Sequence, residues 1–390
     1  IRDIIDQISS DIKIIALTAT ATPKVQDDVT KNLKIDNSKI FKSSFNRHNL
    51  FYEVRAKNES TDIDLLKFIK LNQNQSGIIY CLSRKNVEEL SQLLNMNGVK
   101  SLPYHAGLEK KIREENQDKF LKDECDVIVA TIAFGMGIDK PDIRYVVHYS
   151  VPKSIEGYYQ ETGRAGRDGG KGHCLMYYSY EDVEKLEKLL SKKKSSERNI
   201  GIMLLKEVST FAESSISRRK FLLNYFGEKY DPNINNDFEM DDNSKNIKEK
   251  INVKDQLLFL LNNHFKNNKK VFVRDIINDL PIDEKKGIDE KFWRTIITYS
   301  IVEGFLEKDI SDFTTVKISN FGVEFISNPT EFYVSRDNDF SKTKKIENQS
   351  VKASVIDNDL FNKLKILRKE IAKSKSLPPY AIFQEFSLED

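Results

Sequence analysis

Four runs constrain this chain most: "SGIIYCLS" (76–83), "CDVIVAT" (125–131), "IRYVVHYS" (143–150) and "GHCLMYYS" (172–179). Each is apolar along its length instead of alternating, so each needs cover on both faces. Strands of that kind belong to parallel sheets packed between helices. The stretches between them carry helical spacing. Val87, Leu90 and Leu94 share one face, with Glu88 and Glu89 off it, and "KKIREENQDKFLKD" (110–123) reads as another helix. "VKSLPYHAG" (99–107) is a further strand, "KIIALTAT" (13–20) a buried one, and "KSIEGYYQETGRAG" (153–166) a helix or the approach to one. The first half of the chain is therefore α/β.

From residue 183 onward the pattern turns helical, through "EDVEKLEKLLSKKKSSERN" and "IGIMLLKEVSTFAESSISRRKFLLNYFGE". The acidic stretch "DPNINNDFEMDDNSKN" (231–246) reads as a loop. Val253, Leu257, Leu260, Leu261 and Phe265 form one helical stripe, and Trp293, Ile296, Ile297 and Ile301 another, which makes Trp293 a core residue. "GFLEKDISDFTTVKISNFG" reads as two strands about a Ser-Asp turn. Three helices and then a hairpin is the order of a winged helix. Residues 335–352 are polar and lack bulky periodicity, as a linker does, and the last segment begins a helix.

Bulk composition excludes little. Lys and Arg total 62 against 60 Asp and Glu, a net charge of +2, so any nucleic-acid face is a matter of local sorting. Three cysteines, far apart, argue against a disulfide scaffold or a thiolate metal site and suit a reducing cytosol. No apolar run approaches the roughly 18 residues that span a bilayer, and no secretory signal is visible. A cytoplasmic protein without a membrane partner is expected.

Two stretches carry chemistry. "FGMGIDKPDIRYVVHY" (134–149) follows a strand, and small residues there set backbone amides at the carboxyl edge of a sheet, where nucleotides bind. Gly135 and Gly137 allow close approach, and Asp139 accepts from a hydroxyl or fixes the loop; an ordinary strand–helix turn is the plainer reading. "QETGRAGRDG" (160–169) then sets Arg164 and Arg167 three apart, each behind a glycine. Each guanidinium offers five donors in a fork that matches phosphate. In phosphoryl transfer an inserted arginine neutralises charge on the equatorial oxygens.

These stretches, with "TATAT" (18–22), "IIYCLSRKNVEEL", "YHAGL" and "SRRKFLLNYFGE", resemble the motifs of RecQ-family helicases of superfamily 2, along essentially the whole chain. Gln160 stands where DEAD-box RNA helicases usually carry the His of HRxGRxGR. The resemblance implies an α/β RecA-like parallel-sheet domain, then a helical hairpin, a winged helix and the start of a helical HRDC domain. The corresponding boundaries are 1–45 for the end of a first RecA-like domain, 46–182 for the second, 183–246 for the hairpin, 247–334 for the winged helix, 335–354 for a linker and 355–390 for a truncated HRDC.

The resemblance further implies an ATP-dependent 3′–5′ DNA helicase of repair and recombination. Its substrates would be single-stranded and forked duplex DNA, in the bacterial cytosol, with single-strand-binding and recombination proteins as partners. Catalysis would fall to Gln160, Arg164 and Arg167, and nucleotide coupling to Gly137, Asp139, Thr18 and Thr20. DNA contacts would fall to Ser83, Arg84, Arg274, Arg294 and Phe313, the last either stacking on the terminal base pair or packing back on its sheet. The cofactor would be ATP with Mg²⁺.

Two departures qualify this. No GxxxxGK[ST] run occurs, so the sequence looks like part of a longer protein, and by itself it is not expected to bind ATP tightly or hydrolyse it. A non-enzymatic DNA-binding module with an inactive half motor is the competing reading. The family's zinc cysteines are also absent: Ser217 stands at one position and the loop opposite has none, where a carboxylate site of Asp237, Glu239, Asp241 and Asp242 is conceivable and a solvated acidic loop is the plainer reading. No zinc is expected, which leaves the hairpin to packing by Phe221, Leu222, Leu223, Tyr225 and Phe226.

Overall fold

A computed structural model describes residues 7, 12–35, 37–135, 138–231, 239–246, 248–265, 269–283, 287–309, 314–341, 358–375, 379 and 382. Contacts divide the chain into two units, Ile1–Arg47 with Glu213–Asn338, and His48–Ala212 with Asp339–Asp390.

The second unit is built on six parallel strands: β1 (Leu50–Ala56), β2 (Ser76–Tyr80), β3 (Ser101–Tyr104), β4 (Val127–Ala130), β5 (Ile143–His148) and β6 (Gly172–Tyr178), in the order β1-β6-β5-β2-β4-β3. Every residue of β2, β4 and β5 is buried, which is why their sequences are apolar without alternation. β1 lies outside the four runs above because it is an edge strand. Leu50, Tyr52 and Val54 alternate inward and the residues between them do not. Gly77 has a packing reason: a Cβ there would lie 1.9 Å from the ring of Tyr145 on the neighbouring strand.

Helices Thr61–Leu71, Arg84–Met96, Lys110–Leu121, Ile155–Thr162, Tyr180–Ser191 and Ser195–Glu213 accompany the sheet. Ser83, Ser154 and Ser179 open three of them, each hydroxyl accepting an N–H of the first turn. Such a cap contributes about 1 kcal/mol.

The first unit has its own core, in which Leu257, Leu260, Leu261, Trp293, Ile296 and Phe305 are buried. Trp293 is core, with its indole N–H donated to the Pro281 carbonyl at 2.8 Å. Helices Lys254–His264, Val273–Asn278 and Glu290–Val302 pack with a three-stranded sheet of β7 (Val271–Phe272), β9 (Thr315–Ile318) and β8 (Leu306–Lys308), in that spatial order. The expected hairpin is the antiparallel pair of β8 and β9, with Ile318 opposite Leu306.

Two expectations change. Residues 13–20 form no strand. Among the described residues nothing pairs with them, and Ile15 and Leu17 are exposed. A strand exists only against a neighbour, and an apolar run alone does not supply one. The expected linker also starts late, because Asp337 is docked. Its carboxylate accepts from the Thr295 hydroxyl (2.7 Å) and the Ser215 N–H (3.1 Å), and burial raises its pKa. Among the described residues no helix is long and apolar enough to cross a membrane.

At the β1–β6 edge Glu53 accepts from Arg55 (2.7 Å) and meets His173 (2.8 Å), while Asp64 takes Arg55 (2.9 Å) and the Tyr177 hydroxyl (2.7 Å). Burial pushes Glu53 up, but the bonds from His173 and Arg55 outweigh it and lower its pKa from 4.5 to about 2. A depressed folded-state pKa means stabilisation that is complete above pH 4.5 and lost as pH falls toward 2. Glu53→Gln is expected to cost about 1–3 kcal/mol at neutral pH, with the gap from wild type closing in acid. Urea unfolding across that range measures it, and a gap independent of pH would refute the assignment.

Candidate functional site

The strand order sets the geometry of the site. β2 lies between β4 and β5, so the chain leaving the carboxyl end of β4 at Ala130 must travel the length of β2 to enter β5 at Ile143. Residues 131–142 make this crossing, with no helix among those described. What reads in the sequence as a turn at the carboxyl edge therefore starts at that edge and finishes at the amino edge. Both arginines lie along its course.

Helix Ile155–Thr162 presents an exposed Gln160 and stops at Gly163. Arg164, 7% exposed, then turns its guanidinium to the hydroxyl of Tyr80 at the end of β2. That hydroxyl in turn donates to the Phe134 carbonyl at 2.9 Å. Burial pushes the Tyr80 phenol up and Arg164 pulls it back only in part, so it keeps its proton at neutral pH. Among the described residues Arg164 Nε has no hydrogen-bond partner, so the buried fork has donor capacity to spare.

Arg167 points elsewhere. Its Nη1 donates to the Ile138 carbonyl (2.9 Å) and to Asp139 Oδ1 (3.1 Å). Its side chain is 36% exposed and that of Asp139 is 90% exposed. A pair so open to water is worth at most about 1 kcal/mol, and a phosphate offering bidentate, charge-assisted bonds displaces it at small cost.

Gly166 divides the two directions. It lies in the left-handed region at φ 55°, and a Cβ would fall 2.4 Å from both Gly170 O and Asn49 Nδ2. Its N–H donates to Ile143 O at 2.8 Å, and the Asn49 amide donates to Gly166 O (2.8 Å) and Gly170 O (2.6 Å). Arg144 grips Asp168 just beyond. The turn that aims Arg167 is thus pinned to the amino ends of β1 and β5.

The structure brings together Arg164, Arg167 and Asp139, and adds Tyr80, Asn49 and Arg144, which the sequence reading missed. A tyrosine closing an apolar strand is a faint signal for the first; for the other two the sequence contains none, since their partners are far away in the chain. Gly137 and Phe313 lie outside the described residues. Ser83 caps helix Arg84–Met96 through the Asn86 N–H (3.1 Å), and exposed Arg84 lies over Gly107. Thr18 accepts from the Thr20 N–H at 3.3 Å in an exposed turn. Arg274 faces Asp275 (3.4 Å) and Arg294 pairs with Glu290 (2.7 Å), both at the surface. Ser83 and Arg84 do not join the arginine cluster, and Thr18, Thr20, Arg274 and Arg294 belong to the other unit.

The hairpin region shows how its polar residues are used. Ser217 donates to Asp241 (2.6 Å), and Arg218 donates to both oxygens of Asp242 (2.9 and 3.2 Å). Asn243 donates to the Ser214 and Ile216 carbonyls (2.8 and 2.7 Å). Zinc does not fit here. A carboxylate held by arginine and another held by a hydroxyl offer no thiolate or imidazole, and no group of three His, Cys, Asp or Glu side chains among the described residues is arranged for a metal. All three cysteines are buried elsewhere, and burial drives Cys81 and Cys125 up to about 12. Phe221, Leu222, Leu223, Tyr225 and Phe226 are buried, with Phe226 stacked on Phe45 at 4.6 Å.

Comparison with known proteins agrees with this geometry. The family described as "Helicase conserved C-terminal domain" matches residues 61–169, and "RecQ zinc-binding" matches residues 180–237. The "ATP-dependent DNA helicase RecQ" of Haemophilus influenzae is 34% identical over 399 residues, covering 97% of this chain and 64% of that protein. The protein of the same name from Bacillus subtilis is 32% identical over 384 residues, again 97% and 64%. "RecQ-like DNA helicase blm-1" of Caenorhabditis elegans is 48% identical over 224 residues, 56% of this chain and 23% of that one. The chain spans less than two thirds of the length of these relatives. With a RecA-like sheet, two arginines lying along its crossing segment and relatives matched over almost the whole of this chain, the chain belongs to the RecQ family of superfamily 2 helicases.

Proposed function

We propose that this chain is the second motor domain and DNA-contacting region of an ATP-dependent 3′–5′ DNA helicase that unwinds forked DNA in repair and recombination. The observation that carries the reading is the Gly166 turn. It sends Arg164 to the end of β2 and leaves Arg167 in a weak, half-exposed pair with Asp139. A guanidinium held in that way is ready to exchange a carboxylate for phosphate oxygens. ATP with Mg²⁺ would supply the phosphoryl group. In this chain Arg164 and Arg167 fit the role of neutralising charge on the transferred group, and Gln160 faces the solvent beside them.

No P-loop run occurs in this sequence, so hydrolysis requires residues supplied from beyond it. The region 247–334 would act as a winged helix on duplex DNA, with exposed Arg274 and Arg294 on phosphates. The segment 358–374 would open an HRDC domain. Single-strand-binding and recombination proteins are the partners this role calls for.

Joined to a P-loop domain, the wild-type chain should show DNA-stimulated ATP hydrolysis, and Arg167→Ala should lower the stimulated rate about 10³-fold or more. Unchanged stimulated hydrolysis in that variant would remove Arg167 from the role. Stability should not respond to chelators: the purified chain should contain substoichiometric zinc and keep its melting temperature in EDTA. Asp242→Asn, which loosens the partner of buried Arg218, should lower stability by about 3 kcal/mol. A chelator-induced drop would overturn the reading of this clasp as metal-free.

A further inference from the structure

The helix Asn358–Ser374 packs in the same unit as the parallel sheet, and it does so by an unexpected face. Lys365, Arg368 and Ala372, spaced along one side, are buried, and Arg368 is 0% exposed. Ile366 and Leu367 remain in solvent. Leu364 and Ile371 on that side are only partly buried, so among the described side chains charge has a large share in the docking. Arg368 Nη2 lies 3.4 Å from Asp142 Oδ2 and 3.5 Å from Asp123 Oδ2, and Lys369 donates to the Asp123 carbonyl. The same two carboxylates hold Lys140 Nζ at 2.6 Å (Asp123) and 2.8 Å (Asp142). Lys140 and Arg368 thus meet Asp123 and Asp142 inside the protein.

The placement of Asp123 strengthens the case. It follows helix Lys110–Leu121 in the left-handed region, at φ 56°, where glycine would be at ease. A non-glycine residue held there and buried indicates that its side chain is used. Burial depresses Lys140, but Asp123 and Asp142 outweigh it and raise its pKa; burial raises Asp142, but Lys140 first and then Arg368 and Arg144 bring it down. Without Arg368 the cluster carries one uncompensated carboxylate, which a buried site tolerates poorly.

Asp142 and Lys140 flank Pro141, whose carbonyl accepts the Asp168 N–H at 3.3 Å, and they follow directly on Ile138 and Asp139, which hold Arg167. The segment 138–142 thus touches the arginine turn on one side and the C-terminal helix on the other. We propose that Arg368 is a positioning residue: by docking helix 358–374 through charge it fixes segment 138–142 and so sets the pose of Arg167. Its consequence for hydrolysis rests on the function proposed above; the coupling itself does not, and it is measured without nucleotide.

The test is amide hydrogen exchange on the whole chain, in wild type and in Arg368→Met, Arg368→Lys and Asp123→Asn. Arg368→Met keeps length and loses charge, and Asn tolerates the left-handed backbone while losing the carboxylate. Arg368→Met and Asp123→Asn should each speed exchange about tenfold in helix 358–374 and at the Gly166 and Asp168 amides. Arg368→Lys should restore much of the protection. In wild type, raising salt from about 0.05 M to about 0.5 M should change exchange little at these positions, because ions shut away from water are screened little. Faster exchange in the helix with Gly166 and Asp168 unchanged would overturn the coupling. Unchanged exchange throughout, or acceleration that spreads evenly over β2, β4 and β5, would overturn the role of Arg368 altogether. Loss of hydrolysis in Arg167→Ala bears on neither outcome.

Discussion

The crossing of β2 by residues 131–142 is the constraint on which the rest of the site depends. A parallel strand order with β2 between β4 and β5 forces a long connection over the sheet. That connection brings Phe134 to Tyr80, Ile138 and Asp139 to Arg167, and Pro141 to the turn beyond it. A strand hairpin or a short helical crossover at this position would separate the two arginines from the backbone that holds them. The glycine between them is needed because the turn is left-handed and closed by Gly170 and Asn49.

Two charge arrangements of different kinds follow. Arg167 and Asp139 form an open pair, weak in water and easily exchanged. Lys140, Asp142, Asp123 and Arg368 form a closed one, where removal of any member leaves a buried charge unbalanced. The two are adjacent in sequence, Asp139 belonging to the first and Lys140 to the second. The first can exchange partners and the second is rigid, and the same segment carries both. The clasp of Ser217, Arg218, Asp241 and Asp242 follows the second pattern, linking two chain segments by ions and hydroxyls where relatives of the zinc-binding description would use metal.

Much of the fold was legible in the sequence because full burial leaves a one-dimensional trace. β2, β4, β5 and β6 appear as unbroken apolar runs, and the stripes of Leu257, Leu260 and Leu261 and of Trp293, Ile296 and Ile297 mark helices that fill a core. Edge elements leave weaker traces, so β1 was missed, and an apolar run without a neighbour, at 13–20, was overread. The arginines of the site were legible as a pair with flanking glycines. Their supports were not, because Asn49 meets Gly166 across 117 residues and Tyr80 meets Phe134 across 54.

The amino-acid sequence by itself determined a parallel sheet, a family and a pair of arginines each behind a glycine, since these depend on local pattern and side-chain type. Only the tertiary structure decided where each arginine points, that the connection between β4 and β5 is a traverse, and that a helix some 226 residues away neutralises Asp142. Direction and long-range pairing are set by which strands become neighbours and which charges must be balanced once water is removed. Neither is written in the spacing of residues along the chain.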